Sequence, residues 1–595
     1  MLLERRRFPR QATLTRKFKH LGACLADIGR RYQSAAGRIR HVAASGHALA
    51  IDWLCRTICR TCGLRGSVAI FDLAESDAAI LSRDAEFCVV GSGLAGLIIA
   101  WRLASAGRRV VILESGERQP NRQLPVREAL NGSSRHAGMI SGEYRGLGGA
   151  SAHWGGRLIP LTSHDMLARP HAAIEAWPLS PADLGLYTPL TETLFKIDHS
   201  SFEADSAASP PLPAAGSIDA DVVRRFPKTP RFSNRNLAKA LGVQLQGQGR
   251  IETWLNASVC DLVLDRERGR LAAVIAASPN RKRLEIRAKT FFFAAGTFET
   301  TRLALHLDQI SDGRAFAGCE ALGRFFQDHL RVELGQLAMR DPFLTNRLFG
   351  QRLTRSTRRS IHFELSPAAQ QEDGIASAYI DIRIAPAPDS PLNALRSLGH
   401  RVQGHRSAKS NLASIKQLLD PGFLASAALW RLKYRQLYLP PDMSLFADLR
   451  IEQAPHRQNR LQLAQQRDGL GMPVLALDWS PTEADEHTFQ AAHRRFRAYW
   501  TRAGFDEICP IAWPETAAGE PARFIERSED TLHPAGSTRM GTDPRASVVD
   551  PFLRCHGVAN LSLVSASVFP SSGSANPSLT LLQLALRAAD IRLSQ

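Results

Sequence analysis

Apolar and polar positions are unevenly organised along this chain, and the organisation begins abruptly at Glu86. The run Glu86-Phe-Cys-Val-Val90 is apolar without alternation, as a strand buried on both faces requires. A glycine-rich turn at 91–96 follows, then an apolar stretch at 97–106 that predicts a helix, then Arg109-Val-Val-Ile-Leu-Glu114, a second short strand. Strand, turn, helix and strand in about thirty residues form a βαβ unit, which places the chain among α/β proteins. Upstream the pattern is weaker: 1–65 reads as helical and basic without a clear cap, and 66–85 as a short lead-in.

Downstream, a loop rich in Gly, Arg and Ser spans 131–157, and a Pro, Ala and Ser-rich stretch at 205–217 predicts a surface connection. Apolar runs at Ala257–Asp265, Leu271–Ile275 and Thr290–Gly296 read as strands returning to the first sheet, so its domain is assembled from separated segments. Residues 331–510 mix strand-like and helical patterns with many Arg and His. Within them, 410–437 reads as two short amphipathic helices, a pattern commoner in lids and core packing than in membrane anchors. No internal repeat is visible. No stretch reaches the eighteen or so apolar residues that span a bilayer, so the expectation is a soluble or peripheral protein.

Composition adds size and charge to this picture. With 595 residues and 44% hydrophobic positions, the chain can build two or three lobes and bury a large cofactor. The net charge is +18, and residues 1–65 carry 14 basic against 3 acidic groups, which leaves only about +7 for the rest. Three readings of this arm stay open: a solvated extension, a contact for an anionic membrane surface or acidic partner, and a nucleic-acid contact. No zinc-finger, homeodomain or RNA-binding signature accompanies it, which weighs against nucleic acid. Arg5-Arg6-Arg7-Phe8 faintly resembles a twin-arginine export signal, but Arg16, Lys17, Lys19, Asp27 and Arg30 interrupt the apolar core such a signal needs. The nine cysteines are odd in number and scattered, which fits a reducing cytoplasm. Cys55, Cys59 and Cys62 have the spacing of an iron–sulfur motif, but also that of one helical stripe; the stripe is preferred, and no metal is expected.

The chemistry starts at Gly91-Ser-Gly-Leu-Ala-Gly96, placed after a strand and opening a helix. Gly91, Gly93 and Gly96 permit the tight turn and the close approach of backbone to a pyrophosphate, whose charge the helix N-terminus stabilises. Glu114 closes the second strand, where a carboxylate can accept from ribose hydroxyls. The motif predicts a dinucleotide but does not separate FAD from NAD.

Further segments do. Near the C-terminus stand His533-Pro-Ala-Gly-Ser-Thr-Arg-Met-Gly541, Ser547-Val-Val-Asp550, Gly557-Val-Ala-Asn-Leu561, Ser565-Ala-Ser-Val-Phe-Pro570 and Ala575-Asn-Pro-Ser-Leu-Thr580. This order and spacing resembles the C-terminal signature of the glucose-methanol-choline (GMC) oxidoreductases. The loop Gly148-Gly-Ala-Ser-Ala-His-Trp154, the run Phe293–Leu303 and Leu322-Gly-Arg-Phe-Phe-Gln-Asp-His329 resemble other segments of the family. Residues 84–593 carry the likeness; the first 80 have no counterpart.

The resemblance implies FAD as cofactor and the oxidation of an alcohol, with sugars, cyclitols or other polyols favoured by the Gly148–Trp154 loop and by Asn576. It implies His533 as the base that takes the hydroxyl proton, a task suited to a neutral imidazole, and Asn576 as the partner that orients the substrate oxygen. As cofactor contacts it implies Gly149, Ser151, His153, Val259, Gly296, Ala566, Asn576 and Pro577. His153 falls where some members carry a covalent histidyl–flavin bond; a covalent link, a plain flavin contact and a structural role all stay open. Many members have an acidic residue at the position of Ser565, so that one cofactor contact is in question.

The expected fold is a doubly wound Rossmann-type FAD-binding domain from 84–160, 251–330 and 511–595, behind a basic extension at 1–83. A second, α+β substrate domain from 161–250 and 331–510 is expected to place an antiparallel sheet as the far wall of the pocket. The electron acceptor is left open among oxygen, a quinone and a redox protein. Two other readings stand beside the alcohol oxidoreductase: a lyase on the same fold, and an electron-transfer subunit docked to a membrane or cytochrome partner.

Overall fold

The computed structural model describes residues 69–595 apart from 122–126, 131–135, 204–218, 243–248, 266, 268, 355, 387–389, 391–392, 394–419 and 515–522. The basic arm, its Cys55–Cys59–Cys62 stripe and the connection expected at 205–217 lie outside the described residues.

The βαβ unit forms where the apolar pattern sharpens, and the sheet around it is larger. Its strands are β1 (Ala69–Asp72), β2 (Ile80–Val90), β3 (Val110–Leu113), β4 (Ile251–Leu255), β5 (Ser258–Asp265), β6 (Arg270–Ala277), β7 (Arg283–Phe293) and β8 (Leu561–Leu563). Their order is β1-β4-β3-β2-β7-β6-β5, with β8 also on β7. Pairing is parallel from β1 through β7; β6 and β5 then fold back antiparallel, and β8 lies parallel to the last residues of β7. Phe87–Val90, Val110–Leu113 and Phe291–Phe293 are buried throughout, because helices and loops cover both faces. Helix α1 (Leu94–Ser105) packs against α4 (Ser578–Leu593), joining the first motif to the C-terminal one.

The stretch expected as a lead-in is part of this sheet. β1 forms its edge, and the boundary read at 83/84 falls inside β2. Ser82, Arg83 and Asp84 are exposed at the strand's open end, so their polarity masks the strand in the sequence.

The second sheet has six antiparallel strands, in the order Glu529–Asp530, Leu330–Leu337, Ser444–Ile451, Ala378–Ala385, His362–Leu365 and Val222–Arg225. Its register places Leu330, Val332, Ala378, Ile380, Leu449 and Ile451 on one face. There they pack with Phe489, Phe496 and Trp500 of helix α3 (Glu483–Arg502). Arg331, Asp448, Arg450, Tyr379, Asp381 and His362 fall on the other. A third sheet pairs Arg460–Arg467 and Pro473–Asp478 with Arg127–Leu130. Of the two helices expected in 410–437, the part up to 419 lies outside the described residues; Pro421–Leu429 is a helix that runs on into a π turn, Trp430–Tyr434. No helix among the described residues is long and apolar enough to cross a membrane.

Candidate active site

The register of β2 with β3 brings their C-terminal ends level, so the glycine turn and Glu114 meet. Gly91 N–H donates to Leu113 O at 2.8 Å. Glu114 accepts from Ser92 N–H (2.9 Å) and Ser92 Oγ–H (2.6 Å) through Oε2, and from the N–H groups of Gly116 and Gly146 (2.9 Å each) through Oε1. The carboxylate thus pins three loops together. Gly91 sits at φ +97° and a side-chain carbon on Gly96 would lie 1.9 Å from Gly91 O, so both positions are closed to other residues.

These loops border a cavity of about 570 Å³, in the range of sites that engulf a large ligand. Three helix N-termini open into it: α1 at Gly93–Leu94, α2 (Gly296–Ile310) and α4 at Pro577–Ser578. None of the three has a side-chain hydrogen bond capping it. Helix starts left in this way present N–H donors and partial positive charge, which suits a pyrophosphate and the carbonyl oxygens of a bound cofactor. A dinucleotide therefore fits the residues present.

At the other end stands His533. Its ring approaches three partners: Asn576 Nδ2 lies 3.2 Å from Nε2, while Thr531 Oγ1 (2.9 Å) and His329 Nδ1 (3.0 Å) lie beside Nδ1. Its backbone N–H donates to both oxygens of Asp328 at 3.0 Å. Beneath it His136, Asp328 and Asp530 cluster tightly, with their lone pairs engaged by backbone donors: His136 Nδ1 accepts from Met139 N–H, and Asp530 from Ala137 and Gly138 N–H. Burial, and then the nearby His329 ring and the Arg450 and Arg157 guanidinium groups, hold His533 well below the ordinary imidazole range. It is therefore neutral at physiological pH.

Arg157 lines the same cavity and donates two 2.8 Å hydrogen bonds to Asp381 of the antiparallel sheet. Burial alone would raise Asp381, but the guanidinium groups of Arg157 and Arg450 prevail and hold it well below the usual carboxylate range. Arg450 lies 3.7 Å from Asp381 and 3.8 Å from Asp448. The cavity wall at Arg157 is thus charged, with two guanidinium groups around Asp381.

The structure brings the residues singled out from the sequence together. Gly91, Gly93, Glu114, Gly149, Ser151, His153, Val259, Gly296, Ala566, Asn576, Pro577 and His533 all line the cavity. Gly96 does not; it faces Gly91 and Val89 and sets the approach of α1 to β2. Ser151 Oγ–H donates to Gly148 O and its oxygen accepts from Leu237 N–H, so this hydroxyl ties the loop to a neighbouring helix. Ser565 caps the short helix Ala566–Val568 through Ser567 N–H. His153 stacks on Tyr144 at 3.8 Å between ring centres. Sequence reasoning missed Thr531, Arg157, Asp468, Leu470 and Met472, which line the cavity, and Asp328, His329, Asp381 and Arg450, which stand behind its lining. Asp328 and His329 fall in a segment already singled out, which is the one signal that pointed at them.

Comparisons with known proteins agree with this geometry. Residues 86–298 match the family model described as FAD dependent oxidoreductase, and residues 455–585 the one described as GMC oxidoreductase. Oxygen-dependent choline dehydrogenase of Proteus mirabilis is 33% identical over 129 residues, 21% of this chain and 23% of that protein. Paromamine 6'-oxidase of Streptomyces fradiae is 32% identical over 146 residues, 24% of this chain and 25% of that protein. The fructose dehydrogenase large subunit of Gluconobacter japonicus is 32% identical over 146 residues, 24% of each chain. The matched stretches thus span about a quarter of these curated relatives. The crystal structure of a formate oxidase superposes with a TM-score of 0.53 at 15% identity, covering 86% of this chain and 98% of that one, a likeness of fold. The two family matches meet in the cavity that their separated segments build: residues 455–585 carry a GMC oxidoreductase domain and residues 86–298 an FAD dependent oxidoreductase domain, with FAD as the cofactor.

Proposed function

We propose that this chain oxidises a hydroxyl group of a polar, polyhydroxylated small molecule, with His533 as the base and Asn576 as its partner. The observation that carries the reading is the pair itself: His533 Nε2 and Asn576 Nδ2 stand 3.2 Å apart on the wall of the cavity that the nucleotide motif also lines. A substrate hydroxyl between them gives its proton to Nε2 as the carbon–hydrogen bond breaks, while the Asn576 amide donates to the oxygen and offsets its developing charge. FAD supplies the two-electron acceptor for the hydride. Residues 91–96, the start of α2 and the start of α4 would hold it.

The charged wall supports a polar substrate. Arg157 and Arg450 beside the base disfavour a cationic alcohol such as choline, whereas hydroxyl-rich compounds find donors and acceptors there. Two relatives are named for sugar or aminoglycoside chemistry, paromamine 6'-oxidase and the fructose dehydrogenase large subunit, which supports the same preference. The test is anaerobic: purified, FAD-loaded protein is mixed with sugars, cyclitols, choline and aryl alcohols while flavin absorbance is followed. Bleaching by a polyol and not by choline is the expected result. Bleaching by choline alone overturns the substrate class, and turnover without bleaching turns the reading toward a lyase. Acid precipitation of the same protein reports on His153, since flavin that stays with the pellet in the wild type and leaves it in His153→Ala is covalently attached there.

A further inference from the structure

We infer that His329 is a positioning residue that sets the tautomer of His533, keeping the proton on Nδ1 and the lone pair on Nε2, where the substrate hydroxyl arrives. The inference rests on the reading of His533 as the base.

Hydrogen-bond directions around the two rings fix where the protons sit. His329 is fully buried, and its Nε2 lies 2.7 Å from the carbonyl oxygen of Gly573. A carbonyl only accepts, so Nε2 of His329 carries a proton. In a neutral imidazole the other nitrogen is then bare, and that nitrogen, Nδ1, lies 3.0 Å from His533 Nδ1. Two bare nitrogens cannot bond, so His533 carries its proton on Nδ1 and donates to His329. A second partner agrees. Thr531 Oγ1 donates toward Asp328 Oδ1 at 3.4 Å, which turns its lone pairs to His533 Nδ1 at 2.9 Å, again an acceptor.

With Nδ1 protonated, His533 Nε2 is bare, and the nearest group to it is Asn576 Nδ2, a donor. The chain of directions is closed: Asn576 amide to His533 Nε2, His533 Nδ1–H to His329 Nδ1, His329 Nε2–H to Gly573 O. The opposite tautomer would set the His329 Nε2 lone pair against the Gly573 oxygen at 2.7 Å. A doubly protonated His329 would put a full charge on a buried ring that no carboxylate reaches at bonding distance among the described residues.

Gly573 is itself fixed, since its N–H donates to Glu452 Oε1 at 2.7 Å and Glu452 is held by the buried Arg169. Asp328, the preceding residue, holds the His533 backbone. The dipeptide Asp328–His329 therefore fixes the base twice, Asp328 through its backbone and His329 through its ring. The same logic applies wherever a second group dictates which imidazole nitrogen is the base.

The test reads the tautomer directly. FAD-loaded protein labelled with ¹⁵N-histidine is measured by long-range ¹H–¹⁵N correlation, with the His533 signals assigned by their loss in His533→Asn. The expected wild-type spectrum shows His533 protonated at Nδ1 and bare at Nε2; a proton on Nε2 overturns the inference. In His329→Leu only Thr531 Oγ1 is left to accept from Nδ1, and the share of His533 protonated on Nε2 is expected to rise above that of the wild type. In His329→Asn the amide oxygen replaces Nδ1, and the wild-type tautomer is expected to return. Wild-type tautomer in both variants overturns the role of His329. If His329→Leu fails to load FAD, the wild-type and His329→Asn spectra still decide. As a second readout, flavin reduction is followed with whichever of D-glucose, D-fructose, myo-inositol or choline reduces the wild type fastest. The rate is expected to fall roughly ten- to a hundredfold in His329→Leu, with recovery in His329→Asn. Full activity in His533→Ala sinks the base reading and leaves the spectra untouched, so the two failures are separable.

Discussion

The two sheets of this protein make opposite use of charge. Phe87–Val90, Val110–Leu113 and Phe291–Phe293 of the nucleotide sheet are buried, and the ligand chemistry sits at the strand ends, in glycine turns and uncapped helix starts. The antiparallel sheet is apolar only toward α3; its other face carries ion pairs such as Arg225–Glu364 (3.2 Å) and Arg157–Asp381 (2.8 Å), whose members come from distant segments. The difference separates two ways of specifying a site. A cofactor common to many chains is gripped by backbone at local motifs. A wall facing the substrate is built from side chains that only the fold makes neighbours.

The comparison breaks most visibly at the nucleotide end. Gly96→Ala puts a carbon 1.9 Å from Gly91 O, so the turn and α1 must separate. The expected outcome is protein that purifies without FAD, read from the absence of flavin absorbance; a yellow variant would show that the turn tolerates the shift.

At the junction of the two regions, His533→Ala is expected to retain FAD and to slow flavin reduction by about 100- to 10,000-fold. Asn576→Ala should cost roughly 100-fold, and the double variant less than the product, because both act on one oxygen. Stopped-flow reduction measures all three. Because His533 is held well below 6.5, its neutral form persists into acid, and kcat/KM should stay level as pH falls through 6.5. A half-loss of kcat/KM near that value would place the base elsewhere.

On the charged wall, Asp381→Ala removes the main partner of the half-buried Arg157. Breaking a fully buried pair from one side costs about 3–5 kcal/mol and the partial exposure of Arg157 reduces that cost, so a modestly lowered melting temperature with FAD still bound is expected. An unchanged melting temperature would mean that Arg157 finds other partners.

The smallest effect belongs to His493 of α3, whose ring contacts Phe524 and Trp513. Burial, aided by Arg497, Arg527 and Arg494, lowers it from 6.5 to about 4. The unfolded chain therefore takes a proton that the folded one refuses, and stability is full above pH 6.5 and falls as pH drops toward 4. With allowance for partial exposure, the loss is about 1–2 kcal/mol. Urea midpoints of FAD-saturated protein at pH 7 and pH 5 should show it, and His493→Phe should reduce it.

Local order in the sequence was enough for the first βαβ unit, the family likeness and the identities of His533 and Asn576. Those features depend on residues near one another in the chain: an apolar run, a glycine spacing, a C-terminal motif. What reading along the chain did not reveal was β1, four residues long at the sheet edge, and the first half of β2, where the exposed Ser82, Arg83 and Asp84 hide the strand period. It also did not reveal the partners of the base. His329 and His533 are 204 positions apart, and Arg157 and Asp381 are 224 apart. Arg157 and Asp381 are polar and unremarkable in their own segments, and His329 meets the motif residue His533 only when the sheets close over one cavity. Sequence determined which groups could do chemistry; tertiary structure alone decided which groups stand beside each nitrogen of His533, because those partners are neighbours only in space.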